Sequence, residues 1–372
     1  MTPDTDQLEP EPTDLTLEEI QEQEEAESDA SPITYSGTDF DAEGLVRRYE
    51  RGDIVVPNFG HDDDDSIELA PFQRGFVWRK PQMDRFIESL LLGFPIPGIM
   101  LVEQADKRYL VLDGQQRIKT LAAFKKGIHD KKQFSLQNVA EEFKGLTYET
   151  LAASQKRMLE NTFISATIVR SDRSPQSLEA VYQVFERLNS GGTQLTPHEI
   201  RIALYSGDFV KFLADLNKAP GWRDIYGPES LRLRDQELIL RILALYSRGR
   251  EYVRPMKQFL NRFISDHRYL NDYPTDEIKK LFEESTRALA DANARQVLRR
   301  QGQRINAALL ETVVIGCMQR TANGLGLERQ AVEAGLQAVS DDTALILSAT
   351  AGTTGEENVQ RRLTGAASAF AA

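Results

Sequence analysis

The sequence contains a single cysteine, Cys317, among 372 residues. That excludes an intrachain disulfide framework and a cysteine-built zinc site. Cys317 lies in the run Val313-Val314-Ile315-Gly316-Cys317-Met318, where a small core residue is expected rather than a nucleophile. Histidine is also sparse. His61, His129, His198 and His267 stand apart from one another, which speaks against a His-Asn-His metal nuclease centre. No apolar run approaches the roughly 20 residues that cross a bilayer, and the acidic start does not read as a secretory signal. A cytoplasmic protein without a membrane partner is therefore expected. The sequence has no phosphate loop of the Gly-x-x-x-x-Gly-Lys-Ser/Thr type, no His-Glu-x-x-His and no Gly-x-Ser-x-Gly, and Gly324-Leu325-Gly326 lacks the third glycine of a dinucleotide fingerprint.

Positive charge is missing from the first 30 residues, which hold twelve Asp or Glu and no Lys or Arg. They account for the whole net charge of −12, so the remainder is balanced and neither demands nor excludes a nucleic-acid partner. Acidic charge with Pro, Gln and Ser cannot bury enough apolar surface to order itself, so residues 1–35 are expected to be a disordered tail. Asp62 to Asp65 lack the alternate spacing and closing Glu of a calcium loop and read as a solvated turn.

What the sequence does have is a change of period at Arg108–Lys126. Tyr109, Leu110, Val111 and Leu112 form a continuous apolar run, as a doubly buried strand does, and Ile118, Leu121, Ala122 and Lys125 then recur at helical spacing. The strand hands over to the helix at Asp113-Gly114-Gln115-Gln116-Arg117. Gly114 permits a tight turn, and the free N–H groups and positive dipole end of the new helix favour an anion above it. Gln115, Gln116 and Arg117 add donors, and Asp113 adds a carboxylate that could hold a metal ion or orient a water. For these residues alone, a capped helix start with solvated side chains is an equal reading.

Around this turn the pattern predicts strands at Ile67–Leu69 and Ile99–Val102, a helix carrying Phe86, Ile87, Leu90 and Leu91, and a hairpin joining Ile99–Val102 to Tyr109–Leu112. Gln73 and Arg74 lie on an aromatic loop, Pro71 to Trp78. After a linking region, Thr162–Val169 reads as a strand closing the unit. From Pro175 onward the pattern is almost wholly helical, with a capping box at Thr196-Pro197-His198-Glu199 and helices at Met256–Ile264, Asp276–Leu289, Arg304–Arg320 and Glu328–Val339. The fold class is thus α+β: a small α+β domain over 36–172, then a mostly α-helical domain over 173–372.

Four blocks carry a resemblance. Pro71-Phe72-Gln73-Arg74-Gly75-Phe76-Val77-Trp78, Ser89 to Pro97 (Ser-Leu-Leu-Leu-Gly-Phe-Pro-Ile-Pro), Leu112-Asp113-Gly114-Gln115-Gln116-Arg117 and Phe185-Glu186-Arg187-Leu188-Asn189-Ser190-Gly191-Gly192, in this order and spacing, resemble the GmrSD restriction-endonuclease N-terminal domain family, also called domain of unknown function 262. Leu233 to Leu238 is similar to a later family block. The resemblance implies a ParB/sulfiredoxin-like first domain that handles nucleotide phosphates, acting as a nucleoside triphosphatase or nucleotide sensor in restriction or anti-phage defence. The fused His-Asn-His domain of some members is absent, so a separate nuclease subunit is implied.

On that reading Gln73, Arg74, Gly114, Gln115 and Arg117 bind the nucleotide. Asp113, Gln116 and Arg117 serve turnover, with Asp113 placing Mg²⁺ or the attacking water for ATP, GTP or CTP, which the sequence does not distinguish. DNA is a further expected partner. A non-catalytic DNA-binding or adaptor module is the rival reading, and a ParB-like nuclease built on one aspartate the weaker third. Arg234, Asp235 and Glu237 read as a charge network, and Asn189, Gly191 and Gly192 as a helix C-cap.

Overall fold

The apolar run Tyr109–Asp113 and its hairpin partner lie in the middle of a five-stranded sheet. A computed structural model describes residues 33–56, 78–104, 106–172, 174–188, 195–230, 232–298 and 305–371. Five strands form this sheet: β1 (Thr34–Asp41), β2 (Ile54–Val55), β3 (Ile99–Glu103), β4 (Tyr109–Asp113) and β7 (Phe163–Arg170), in the order β1-β7-β3-β4-β2. The expected hairpin is there, β3 and β4 being antiparallel. β7 joins β3 in parallel and β1 antiparallel, and β2 lies parallel to β4. The two short strands β5 (Ile128–His129) and β6 (Lys132–Gln133) make a separate hairpin.

Alternation along the strands decides what each face meets. Ile99, Leu101, Val111, Ile164, Ala166 and Ile168 enter one core. Helices α1 (Ala42–Glu50), α2 (Lys80–Leu91), α3 (Gln115–Lys126) and α4 (Ala153–Glu160) cover it with Leu45, Val46, Met83, Ile87, Leu90, Ile118, Leu121, Phe124 and Leu159. On the other face Val102, Leu110, Leu112 and Val169 are buried, and helix α5 (Pro175–Leu188) packs on β4. Helix α6 (Pro197–Leu204) starts with the expected capping box: Thr196 Oγ1 accepts from Glu199 N at 3.1 Å, and Thr196 N donates to Glu199 Oε2 at 2.6 Å. Trp78 packs edge-on against Phe86, ring centroids 5.4 Å apart.

Contacts divide the chain into two compact units, and the sheet unit runs Ser31–Val210 with Ser230–Arg234. It extends past the sequence-based boundary at 172 because α5 covers the second sheet face. The other unit is helical. It holds α8 (Pro220–Tyr226), α10 (Met256–Asp266), α11 (Thr275–Asp291), α12 (Ala294–Leu298), α13 (Ala307–Ala322), α14 (Arg329–Asp341), α15 (Thr343–Ser348) and α16 (Glu356–Ala369), with most of α7 (Asp208–Asn217) and α9 (Arg234–Arg248). Cys317 is buried there, and its burial raises the thiol pKa. Asp235 is fully buried and accepts from Arg223 at 2.9 Å and Asn217 at 3.0 Å, so of the block Arg234, Asp235 and Glu237 it is Asp235 that joins a buried charge cluster, made with side chains outside that block. Residues 1–32 of the expected tail, the strand at Ile67–Leu69, the Asp62–Asp65 turn and the cap at Asn189–Gly192 lie outside the described residues, while Thr34 and Tyr35, expected in the disordered tail, are held in β1 by pairing with β7.

Within the sheet unit one carboxylate fastens α2 to the segment after β6. Asp84, with no exposed surface, pairs with Lys80 and accepts from Gln137 N at 3.1 Å, Asn138 N at 3.1 Å and Asn138 Nδ2 at 2.8 Å. Asp84→Ala removes the buried acceptor that these donors share and leaves a cavity beneath α2, so we expect a loss of about 2 kcal/mol in urea unfolding. A loss below about 0.5 kcal/mol would show that water replaces the carboxylate.

Candidate functional site

β4 ends one residue before a glycine that no other residue could replace without strain. Gly114 has φ +94°, and a Cβ built on it would overlap Ile99 Cγ2 and stand 3.0 Å from Ile99 Cβ. The strand therefore turns immediately into α3, whose first backbone bond runs from Ile118 N to Gly114 O at 3.1 Å. The amides before it belong to the set that a helix leaves unpaired at its start, where the dipole is positive. No side chain caps this end. The register adds a second feature: Met100 faces Asp113 while Leu101 faces Val111, so Leu112 is an extra residue on β4. Such a bulge re-aims the next side chain, here Asp113.

Asp113 and Arg117 meet as expected of neighbours one helical turn apart. Arg117 Nη2 donates to Asp113 Oδ2 at 2.7 Å, with side-chain exposures of 11% for the arginine and 52% for the aspartate. Arg117 Nε is buried and has no hydrogen-bond partner among the described residues, and neither has Thr120 Oγ1, one turn further along α3. Gln116 Oε1 accepts from Trp78 N at 3.3 Å, which ties the turn to the segment just before α2. Gln115 is half-buried at the first helical position. Half-buried Lys119 follows on the same helix, and burial lowers its pKa. Gln73 and Arg74 lie outside the described residues.

Among the described residues no group of three or more His, Cys, Asp or Glu could hold a metal ion. Asp113 is thus a lone carboxylate with one oxygen engaged by Arg117. Mg²⁺ commonly takes one or two protein carboxylates and completes its shell with water and substrate phosphates, so Asp113 fits as one ligand of a metal that arrives with a nucleotide. It does not fit a metal cage made by the protein.

Sequence reasoning found the turn but missed two of its supports. Ile99 is apolar and Thr120 is an ordinary helix residue, and neither type signals a site. The Ile99–Gly114 contact follows from the hairpin register, which only the paired strands reveal.

Residues 57–206 match the family described as GmrSD restriction endonuclease, N-terminal domain. The chain carries this domain. The domain is described from a restriction endonuclease, and the matched residues include β3, β4, α3 and α6. No curated protein matches the chain. The strand β1 and helix α1, which complete the sheet unit, precede the matched GmrSD residues. No helix among the described residues is long and apolar enough to cross a membrane.

The Gly114 constraint has a thermodynamic signature. Gly114→Ala should cost about 1–3 kcal/mol through its positive φ and the clash. In a double-mutant cycle with Ile99→Ala, relief of the clash should appear as a coupling of about 1 kcal/mol or more. Strictly additive losses in chemical denaturation would mean that the two residues do not press on each other.

Proposed function

We propose that this GmrSD domain binds a nucleoside triphosphate at the Asp113–Arg117 turn and hydrolyses or senses it, within a restriction system whose DNA nuclease is a separate subunit. The observation that carries the reading is Arg117: a guanidinium held by Asp113 at 2.7 Å, with a buried Nε lacking a partner among the described residues, beside an uncapped helix start. Buried donors without acceptors are costly, and a phosphate oxygen at that place would satisfy them. Arg117 would grip the phosphates with the amides of α3, and Gln115 would add a donor. Gln116 would hold the turn against the segment before α2. Gln73 and Arg74 belong to the reading through the family block alone.

Mg²⁺ bound with the nucleotide would neutralise charge on the transferring phosphoryl group. Asp113 would offer it the oxygen not engaged by Arg117, or would orient the attacking water. A ParB-like fold and a role in anti-phage defence also belong to this proposal. The site supports a nuclease of the ParB type less well, because one carboxylate cannot hold two metal ions.

Two substitutions separate binding from turnover. Each Arg–phosphate contact is worth about 1.5–3 kcal/mol, so Arg117→Ala should weaken triphosphate binding by roughly one to two orders of magnitude in calorimetric titration, with Arg117→Lys recovering part. Asp113→Asn should retain binding and lose about 100-fold or more in phosphate release from whichever of ATP, GTP or CTP is turned over. Equal binding by Arg117→Ala and parent discards the site. A parent protein that binds no triphosphate favours the rival reading, a DNA-binding or adaptor module.

A further inference from the structure

Cations concentrate where α3 ends. Between Gln115 and Gln133 lie Arg117, Lys119, Lys125, Lys126, Lys131 and Lys132 against one carboxylate, Asp130, in a chain of net charge −12. Gly127 closes α3 with φ +75°, and the chain enters the β5–β6 hairpin at once. Asp130 and Lys131 form its turn with φ +48° and +61°, the two-residue geometry that suits the twist of a hairpin but usually recruits Asn or Gly. The turn thus presents Lys131 and Lys132 on a short, defined projection rather than on a loose loop. Phe134 N donates to Gly127 O at 2.8 Å and anchors its base.

Some surface cations of the unit are compensated: Lys107 pairs with Glu103, Arg108 with Asp106, and Lys144 with Glu141. Lys125 reaches Glu43 at 3.6 Å. Lys126, Lys131 and Lys132 are exposed and have no carboxylate partner among the described residues. The negative end of the helix dipole accounts for a lysine in the last turn of α3, such as Lys126. It gives no reason for the two lysines of the hairpin.

We propose that the C-terminal end of α3 and the β5–β6 hairpin form a contact surface for the phosphodiester backbone of nucleic acid, bound without base readout. The inference goes beyond the nucleotide reading and stands if that reading fails. Lys126 in the last turn of α3 and Lys131 and Lys132 of the hairpin that follows at once make one exposed cationic patch. Phosphates repeat about every 3.4 Å of axis along a strand, so three neighbouring lysines can meet successive phosphates. A membrane surface requires a group of exposed apolar side chains beside the lysines, and the hairpin offers only Ile128, 51% exposed. An acidic polypeptide would satisfy charge alone, and the test separates it.

The experiment is fluorescence polarisation of a labelled duplex of about 20 base pairs with the full chain, at salt from about 50 to 200 mM. The variants are Lys126→Glu/Lys131→Glu/Lys132→Glu and the milder triple glutamine substitution, each checked by thermal melting and by triphosphate titration. The parent should bind, the glutamine variant should lose about tenfold or more, and the slope of log K against log salt should shrink by about 2–3. Unchanged triphosphate titration with lost duplex binding assigns the two sites separately. Equal duplex binding by parent and glutamine variant overturns the proposal. So does a parent that does not bind at the lowest salt, or displacement of the duplex by polyglutamate at equal charge concentration.

Discussion

The contact between Gly114 and Ile99 fixes where α3 begins, and the geometry of the site follows from it. Any side chain at 114 would collide with Ile99 and would have to adopt a positive φ. Because the position is glycine, β4 needs no connecting loop before the helix. Arg117 therefore stands one turn above Asp113 and closes on it at 2.7 Å, with the unpaired helix amides between them. The extra residue Leu112, implied by the register of β3 and β4, sets the direction in which Asp113 leaves the sheet. A longer connection would separate carboxylate, guanidinium and amides, and the anion-favouring place would be lost.

Buried charge is treated differently elsewhere in the chain. Asp84 collects a lysine and three amide donors from remote segments. In the helical unit Glu311 accepts from Arg241 at 3.0 Å and Arg362 at 2.9 Å, while Arg362 also donates to the carbonyls of Ser348 and Thr353. Each of these carboxylates gathers enough donors to offset its loss of water. Around Arg117 the bookkeeping is left open, since Nε and Thr120 Oγ1 have no partner among the described residues. Buried Nε atoms without a partner among the described residues also occur at Arg223 and Arg362; Arg117 differs from them in standing beside the open amides of a helix start, next to a half-exposed carboxylate.

Much of this was legible in the sequence, and the parts that were not share a cause. The change from a continuous apolar run to helical spacing at Asp113 gave β4 and α3 directly, and Ile99–Val102 with the intervening turn gave the hairpin. Thr196 and Glu199 announced α6. β1 was missed because Thr34–Asp41 is an edge strand whose residues are mostly exposed, so it has neither an apolar run nor an apolar face, and pairing with β7 alone makes it a strand. Thr34 and Tyr35, assigned to the tail by charge and composition, belong to it. β2, two residues long, exists for the same reason. The region after β6 read as a link because α4 buries only Leu159, too little for a periodic signal. α8 and α15 are likewise short, with few turns to show a period.

The pairing of Asp113 with Arg117 also bears on which ligand could use the turn. Before a ligand arrives the two charges neutralise each other at a half-exposed place, where such a pair is worth little and is easily exchanged. A bare anion would take the guanidinium and leave Asp113 facing it, a like-charge contact that opposes binding. A bare cation would take the carboxylate and leave Arg117 unpaired with its Nε still unsatisfied. On the nucleotide reading, a ligand that carries both charges divides the pair, phosphate oxygens to Arg117 and the α3 amides, and metal to Asp113, with neither side chain left opposite its own sign. On that reading the Asp-Gly-Gln-Gln-Arg turn would discriminate by charge pattern before any base or ribose is touched, and a metal-bound triphosphate would have the pattern it requires.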